Sequence, residues 1–157
     1  MRLLKHNGDG WRYGLEPKEG MLLRMLVKEF PLTAATAVKI TRTGTDAKSA
    51  ERERLLNESL ARHRWELKQL AAKLLAANLK AGKDGWRLSV SMEEREVLLQ
   101  LLNDIRVENW HALGNPENLD ALPLQPSEAD RRHHQLMHLA GYFVFKMVEG
   151  RGQKVRS

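Results

Sequence analysis

Apolar positions along this chain keep two periods, and the clearest change between them lies at residues 86–113. Trp86, Leu88 and Val90 alternate with Arg87 and Ser89, the two-residue period of a half-buried strand. Ser91 and Glu94 then form an S-x-x-E capping box, which satisfies backbone donors at a helix start. Val97, Leu98, Leu101, Leu102 and Ile105 follow at helical spacing and make one wide apolar face. The pattern predicts a strand over 86–90 and a helix over 91–113.

The same design occurs near the N-terminus. Strands are expected over 2–6 and 11–15, joined by Asn7-Gly8-Asp9-Gly10, whose residue types tolerate the positive φ of a hairpin turn. Glu16-Pro17 opens a helix with Met21, Leu22, Met25 and Leu26 on its apolar face, and Phe30-Pro31 closes it. DGWRYGLEPKEGMLLRML (9–26) aligns without gaps on DGWRLSVSMEEREVLLQL (84–101), matching Glu19 with Glu94. This internal repeat predicts that strands 11–15 and 86–90 share one sheet. Trp11 and Trp86 are then buried on one side, and Arg12 and Arg87 project from the other.

Two further helices follow from the spacing. One runs from about Asp46 or Ser49 to Ala81 and ends at Gly82. Leu56, Leu60, His63, Leu67, Leu70 and Leu74 make a narrow seam along it, and Ala61, Trp65, Ala72, Ala76 and Leu79 make a second face. Two apolar faces predict a central helix gripped from both sides. The other helix opens at Pro126-Ser127 and is apolar nearly all round from Leu136 to Val148, which predicts an interior position or a subunit contact. Residues 31–50 keep no period and read as a mobile loop; 115–126, with three prolines, reads as a second loop. The fold expected is one mainly α domain over 1–150, four helices with a small three-stranded sheet (α+β), followed by a basic disordered tail over 151–157.

Composition narrows the chemistry. The chain has no cysteine, which excludes disulfides, thiolate metal sites, cysteine nucleophiles and thiol redox sensing. No apolar run is long enough for a signal peptide or a bilayer span, so a cytosolic location without membrane attachment is expected. The net charge of +6 is uneven: residues 1–45 carry eight basic and four acidic groups, residues 83–114 four and six. A basic N-terminal half suits a polyanionic partner.

Four constellations are candidates for function. Arg12 and Arg87 on one sheet face, with Lys5 nearby, are cations suited to phosphate contacts. Asp130, His134 and His138 recur every four residues beside His133, the spacing of a weak metal site on a helix face. His63 interrupts the leucine seam, as a core histidine or a pH-sensitive group. Asn103, Asp104 and Arg106, with Glu108, interrupt the 91–113 helix. They read as a structural polar network in which Asn103 or Asp104 hydrogen-bonds locally and Arg106 stacks on Trp110; paired acid/base carboxylates are the rival reading. No Gly-rich phosphate loop or evident nucleophile is present, so no catalytic residue and no cofactor is assigned.

The run L-L-Q-L-L-N-D-I-R (98–106) resembles the L-N-D-x-R signature of a bacterial family of unknown function common in actinobacteria. The resemblance covers roughly residues 10–113 and the final helix, and Leu102, Asn103, Asp104 and Arg106 carry it. It implies a non-enzymatic protein: genes of that family often neighbour the Clp protease adaptor, and some members are described as redox-responsive transcriptional regulators. A chain without cysteine cannot carry a thiol switch. The leading expectation is therefore a non-enzymatic cytosolic regulatory or adaptor protein that binds another protein. A nucleic-acid-binding transcriptional regulator using the basic sheet face and tail comes second. A homodimer is also expected, through Trp65 with Ala61 and Ala72 or through Phe143 with Met147.

Overall fold

The computed structural model describes residues 1–31, 47–117 and 126–149. In chain order the elements are β1 (Arg2–Asn7), β2 (Gly10–Leu15), α1 (Pro17–Glu29), α2 (Ala47–Asn78), β3 (Leu79–Gly82), β4 (Gly85–Ser91), α3 (Met92–Ala112) and α4 (Glu128–Glu149). Among the described residues the protein is mainly helical, with four helices and one antiparallel sheet in the order β1-β2-β4-β3. The sheet has four strands where the sequence pattern predicts three. The expected helix to Ala81 stops at Asn78, because Leu79–Gly82 pairs with β4, Leu79 opposite Leu88 and Gly82 opposite Gly85.

The internal repeat explains the strand order. Each copy is a hairpin followed by a helix, β1-β2-α1 and β3-β4-α3, and the two hairpins join through β2 and β4. Tyr13 and Leu88, equivalent positions of the gapless alignment, stand directly opposite each other in that pairing. A local two-fold therefore passes between them. The likeness extends to the helix starts. Glu16 and Glu19 form a capping box at α1, and Ser91 and Glu94 form one at α3, where the Glu94 amide donates to Ser91 Oγ at 3.1 Å.

Alternation places the sheet residues as expected. Trp11, Tyr13, Leu15, Leu79, Leu88 and Val90 are buried towards the helices. Trp86 is half-buried and packs on the same side, so close to α1 that a Cβ at Gly20 would overlap its ring. Arg24 of α1 lies 4.5 Å over the Trp86 ring from beyond. Leu98, Leu101, Leu102 and Ile105 of α3 complete the core with Leu23, Leu26 and Val27 of α1 and Phe143 and Met147 of α4.

Both apolar-face expectations for the longer helices change. In α2 only Leu67, Ala71, Leu74 and Leu75 are buried, all in its C-terminal half; Leu56, Leu70 and His63 of the seam are exposed. Asn78 at one end bonds Glu94 of α3, and Arg64 lies 3.3 Å from Glu108 near the other end of α3. The helices thus run antiparallel, and the first turns of α2 extend past the end of α3 with Leu55 and Leu56 in solvent. In α4, Leu136, Met137, Ala140, Phe143 and Met147 are buried, but Tyr142, Phe145 and Val148 are exposed, so the helix is one-faced. Of the loops, Ala47–Ala50 belongs to α2, while 32–46, 118–125 and the tail from 150 onward lie outside the described residues.

Arg95 is the largest fully buried side chain. Its Nε donates to Tyr13 Oη at 2.9 Å and an Nη donates to the Met147 carbonyl at 2.6 Å. The Tyr13 hydroxyl donates to the same carbonyl at 3.1 Å, and the guanidinium lies 4.9 Å over the Trp11 ring. Replacing Arg95 by Met removes these bonds and leaves the Tyr13 oxygen short of a donor inside the core. Arg95→Met should lower unfolding free energy by about 2–4 kcal/mol, and Tyr13→Phe by about 1–3 kcal/mol. Urea denaturation checks both; variants as stable as the parent refute the assigned role.

Candidate functional site

None of the four strands contains an Asp or Glu. Their inward positions other than His6 are apolar or aromatic, so every strand Arg and Lys is left to the outward face. Strand register then sorts the cations into rows. Arg2 stands opposite Gly14, Gly14 opposite Arg87, and Arg87 opposite Lys80, which makes one row across all four strands. Lys5 opposite Arg12 and Arg12 opposite Ser89 make the next. A bulge between Leu3 and Lys5 sets the two rows in β1, and Leu4 packs across Gly14 between them.

All five cations, Arg2, Lys5, Arg12, Lys80 and Arg87, are exposed. Among the described residues none of them enters an ion pair, whereas Arg54, Arg64, Arg95, Arg132 and Lys146 do. Two of the pairs obey the local two-fold: Arg12 matches Arg87, and Lys5 matches Lys80. Two open hollows lie along the face. One of 480 Å³ holds Lys5, Arg12 and Ser89, with Asp9 and Glu94 at its rim. The other, of 750 Å³, holds Arg2, Leu4 and Arg87, with Lys83, Asp84, Glu16 and Glu19 around it. The acidic groups sit in turns and helix caps, outside the rows. Sequence reading finds Lys5, Arg12 and Arg87 and misses Arg2 and Lys80. Extending the gapless alignment back by a few residues sets Lys80 over Lys5, and that is the signal that finds it.

The other candidates form no comparable site. His134 and His138 approach to 3.2 Å between Nε2 atoms, but His133 turns away to Asn109 Oδ1 at 2.9 Å. Among the described residues no group of three His, Asp or Glu can hold a metal ion, so Asp130 does not complete a site with His134 and His138. His63 is exposed and meets Gln100 at 3.0 Å, not the core.

The L-N-D-x-R segment divides between two faces of α3. Asp104 and the buried Glu108 turn towards α2, where Arg64 pairs with Glu108. Asn103 and Arg106, with Val107, Trp110 and Met137, line a shallow 290 Å³ hollow beside α4. Among the described residues neither Asn103 nor Asp104 makes a side-chain hydrogen bond and Arg106 does not stack on Trp110, contrary to the network expected; Trp110 instead donates to the Pro116 carbonyl at 3.0 Å. The buried polar network is one turn further on, where Asn109 donates to the Ile105 carbonyl at 2.8 Å.

Comparisons with protein-family models, with curated proteins and with solved structures return no match. Among the described residues no helix is long and apolar enough to cross a membrane.

Burial raises the pKa of Asp104 above its usual value, against the smaller opposing pull of Arg64 and His63. The folded state therefore binds more protons than the unfolded state just above pH 3.8, and stability falls as pH rises through that window. Asp104→Asn should remove this slope and stabilise the protein at neutral pH. The gain should be only a few tenths of a kcal/mol, roughly, because water screens a half-buried group. Urea titrations of parent and variant at pH 4 and pH 7 check it: equal pH dependence in the two refutes the assignment.

Proposed function

We propose that this protein is a non-enzymatic cytosolic nucleic-acid-binding regulator whose outward sheet face lies on the phosphates of a double helix. The observation that carries the reading is the pair of cation rows, five charges without an ion pair among the described residues, on a sheet whose strands hold no carboxylate. A surface of this kind pays a self-repulsion cost that phosphates relieve by counterion release.

The local two-fold selects the duplex. Two backbones of a double helix are themselves related by dyads, and Lys5/Lys80 and Arg12/Arg87 repeat the same symmetry. β1 and β3 are three strand spacings apart, about 14 Å, comparable with the width of a groove and its bordering phosphates. The sheet aromatics Trp11, Tyr13 and Trp86 all face inward, which leaves no platform for stacking unpaired bases. Binding is therefore expected to be sequence-neutral. The adaptor reading, ranked first on sequence, keeps one supporting observation: Leu55 and Leu56 stand exposed on the part of α2 that extends past α3.

Fluorescence anisotropy with a labelled random-sequence 20-base-pair DNA tests the proposal. Five phosphate contacts give a log–log salt slope of about −4.5, a loss of several hundred-fold, roughly, between 50 and 200 mM salt. Arg12→Glu with Arg87→Glu should weaken binding at least about 100-fold and flatten the slope by about 2. Absence of binding at low salt, or binding indifferent to the double variant, overturns it.

A further inference from the structure

The face of α2 turned away from α3 carries Ala61, Trp65, Ala72 and Ala76 in one stripe, all exposed. Trp65 has 59% of its surface in solvent, the highest exposure of the four tryptophans. Two turns further along the same stripe, Ala72, Leu75 and Ala76 with Val27 of α1 line an open groove of 560 Å³. An indole ring and an alanine-floored groove thus lie side by side on one helix. The other candidate contact, Phe143 with Met147, is buried in the core and unavailable for association.

We propose that two copies of this chain associate through α2, antiparallel across a two-fold axis, each Trp65 seated in the groove of the other copy. One register meets both requirements. Setting Glu66 of one copy level with Lys73 of the second places Trp65 level with Leu74, between Ala72 and Ala76. The small residues there let an aromatic ring and the opposing backbone approach closely. Glu66 and Lys73 flank the stripe on the same side, and among the described residues neither has an ion-pair partner. Antiparallel pairing joins each Glu66 to a Lys73, which makes two ion pairs by symmetry. Parallel pairing would leave Glu66 of one copy and Lys73 of the other two turns apart on opposite flanks, so these two ion pairs form only in the antiparallel arrangement. The other flank is cationic, with Arg24, Lys28 and Lys68. Lys68 is turned back onto the Lys28 carbonyl at 2.8 Å, away from the approaching helix. This contact is independent of the sheet face and of its reading.

Size-exclusion chromatography with light scattering on the full chain at micromolar concentration tests the dimer. The expected mass is about twice the 18.0 kDa of one chain, falling towards 18.0 kDa on dilution. Glu66→Lys and Lys73→Glu should each weaken association at least about tenfold, and the two together should restore it. Trp65→Glu should be monomeric with an unchanged circular dichroism spectrum, because the side chain it replaces lies in solvent. A parent mass of 18.0 kDa at every concentration overturns the proposal. So does a dimer that survives Trp65→Glu, or a double reversal no better associated than the single ones.

Discussion

A charged guanidinium in the middle of the core constrains everything packed around it. Arg95 is 1% exposed, and removing an arginine from water costs several kcal/mol unless its donors are met. They are met by groups from two other elements: the Tyr13 hydroxyl from the sheet and the Met147 carbonyl from the last turn of α4. That carbonyl is among the four that a helix leaves unsatisfied at its C-terminus, where the helix dipole also favours a cation. One side chain therefore caps α4 from a distance and fixes the angle at which it crosses α3 and β2. The exposed Glu96, 3.7 Å from the other Nη, adds little by comparison, since water screens it. Trp11 covers the guanidinium face and closes the site against solvent.

This anchor breaks an otherwise symmetric arrangement. The two hairpin–helix units share the Asp-Gly-Trp-Arg that leads out of the turn, their strand alternation and their capping boxes, and they meet across a two-fold at Tyr13 and Leu88. At the centre the polar partner is needed on one side only: Tyr13 carries a hydroxyl for Arg95, and Leu88 opposite it is apolar. The inward face is specialised in this way to hold α4. The outward face keeps the symmetry, because among the described residues Lys5 and Lys80, Arg12 and Arg87 enter no ion pair that would differentiate them. A core position is selected by its neighbours, a surface position by whatever approaches it.

The same division of labour separates the two halves of α2. Its C-terminal half is buried through Leu67, Ala71, Leu74 and Leu75, while Leu55 and Leu56 of the N-terminal half remain in solvent. A helix stabilised along half its length by packing needs local support for the rest, and Arg54 with Glu58 at 2.9 Å supplies a little of it. Apolar residues kept on such a segment are costly to hydrate, which is why they mark a contact surface and not a defect of packing.

Local chemistry alone determined much of this protein. Capping boxes, helical spacing and strand alternation act between residues a few positions apart, so the 91–113 helix, the first hairpin and the burial of Trp11 are legible in the sequence. The shared Asp-Gly-Trp-Arg also places β2 beside β4, since matching alternation must face one core. Tertiary structure decided the rest. Leu79–Gly82 has no strand period of its own, and only pairing with β4 turns the end of a helical pattern into a strand. Arg95 reads as a solvent residue in the first turn of α3, because the partners that bury it are 82 and 52 residues away. Arg2 and Lys80 join the cation rows through register, a property of paired strands that no single strand contains. Likewise the apolar run 136–148 meets only one core face, so Phe145 is left in water while Phe143 is not. Residues that depend on near neighbours can be read in order along the chain; those that depend on distant ones wait for the fold to bring them together.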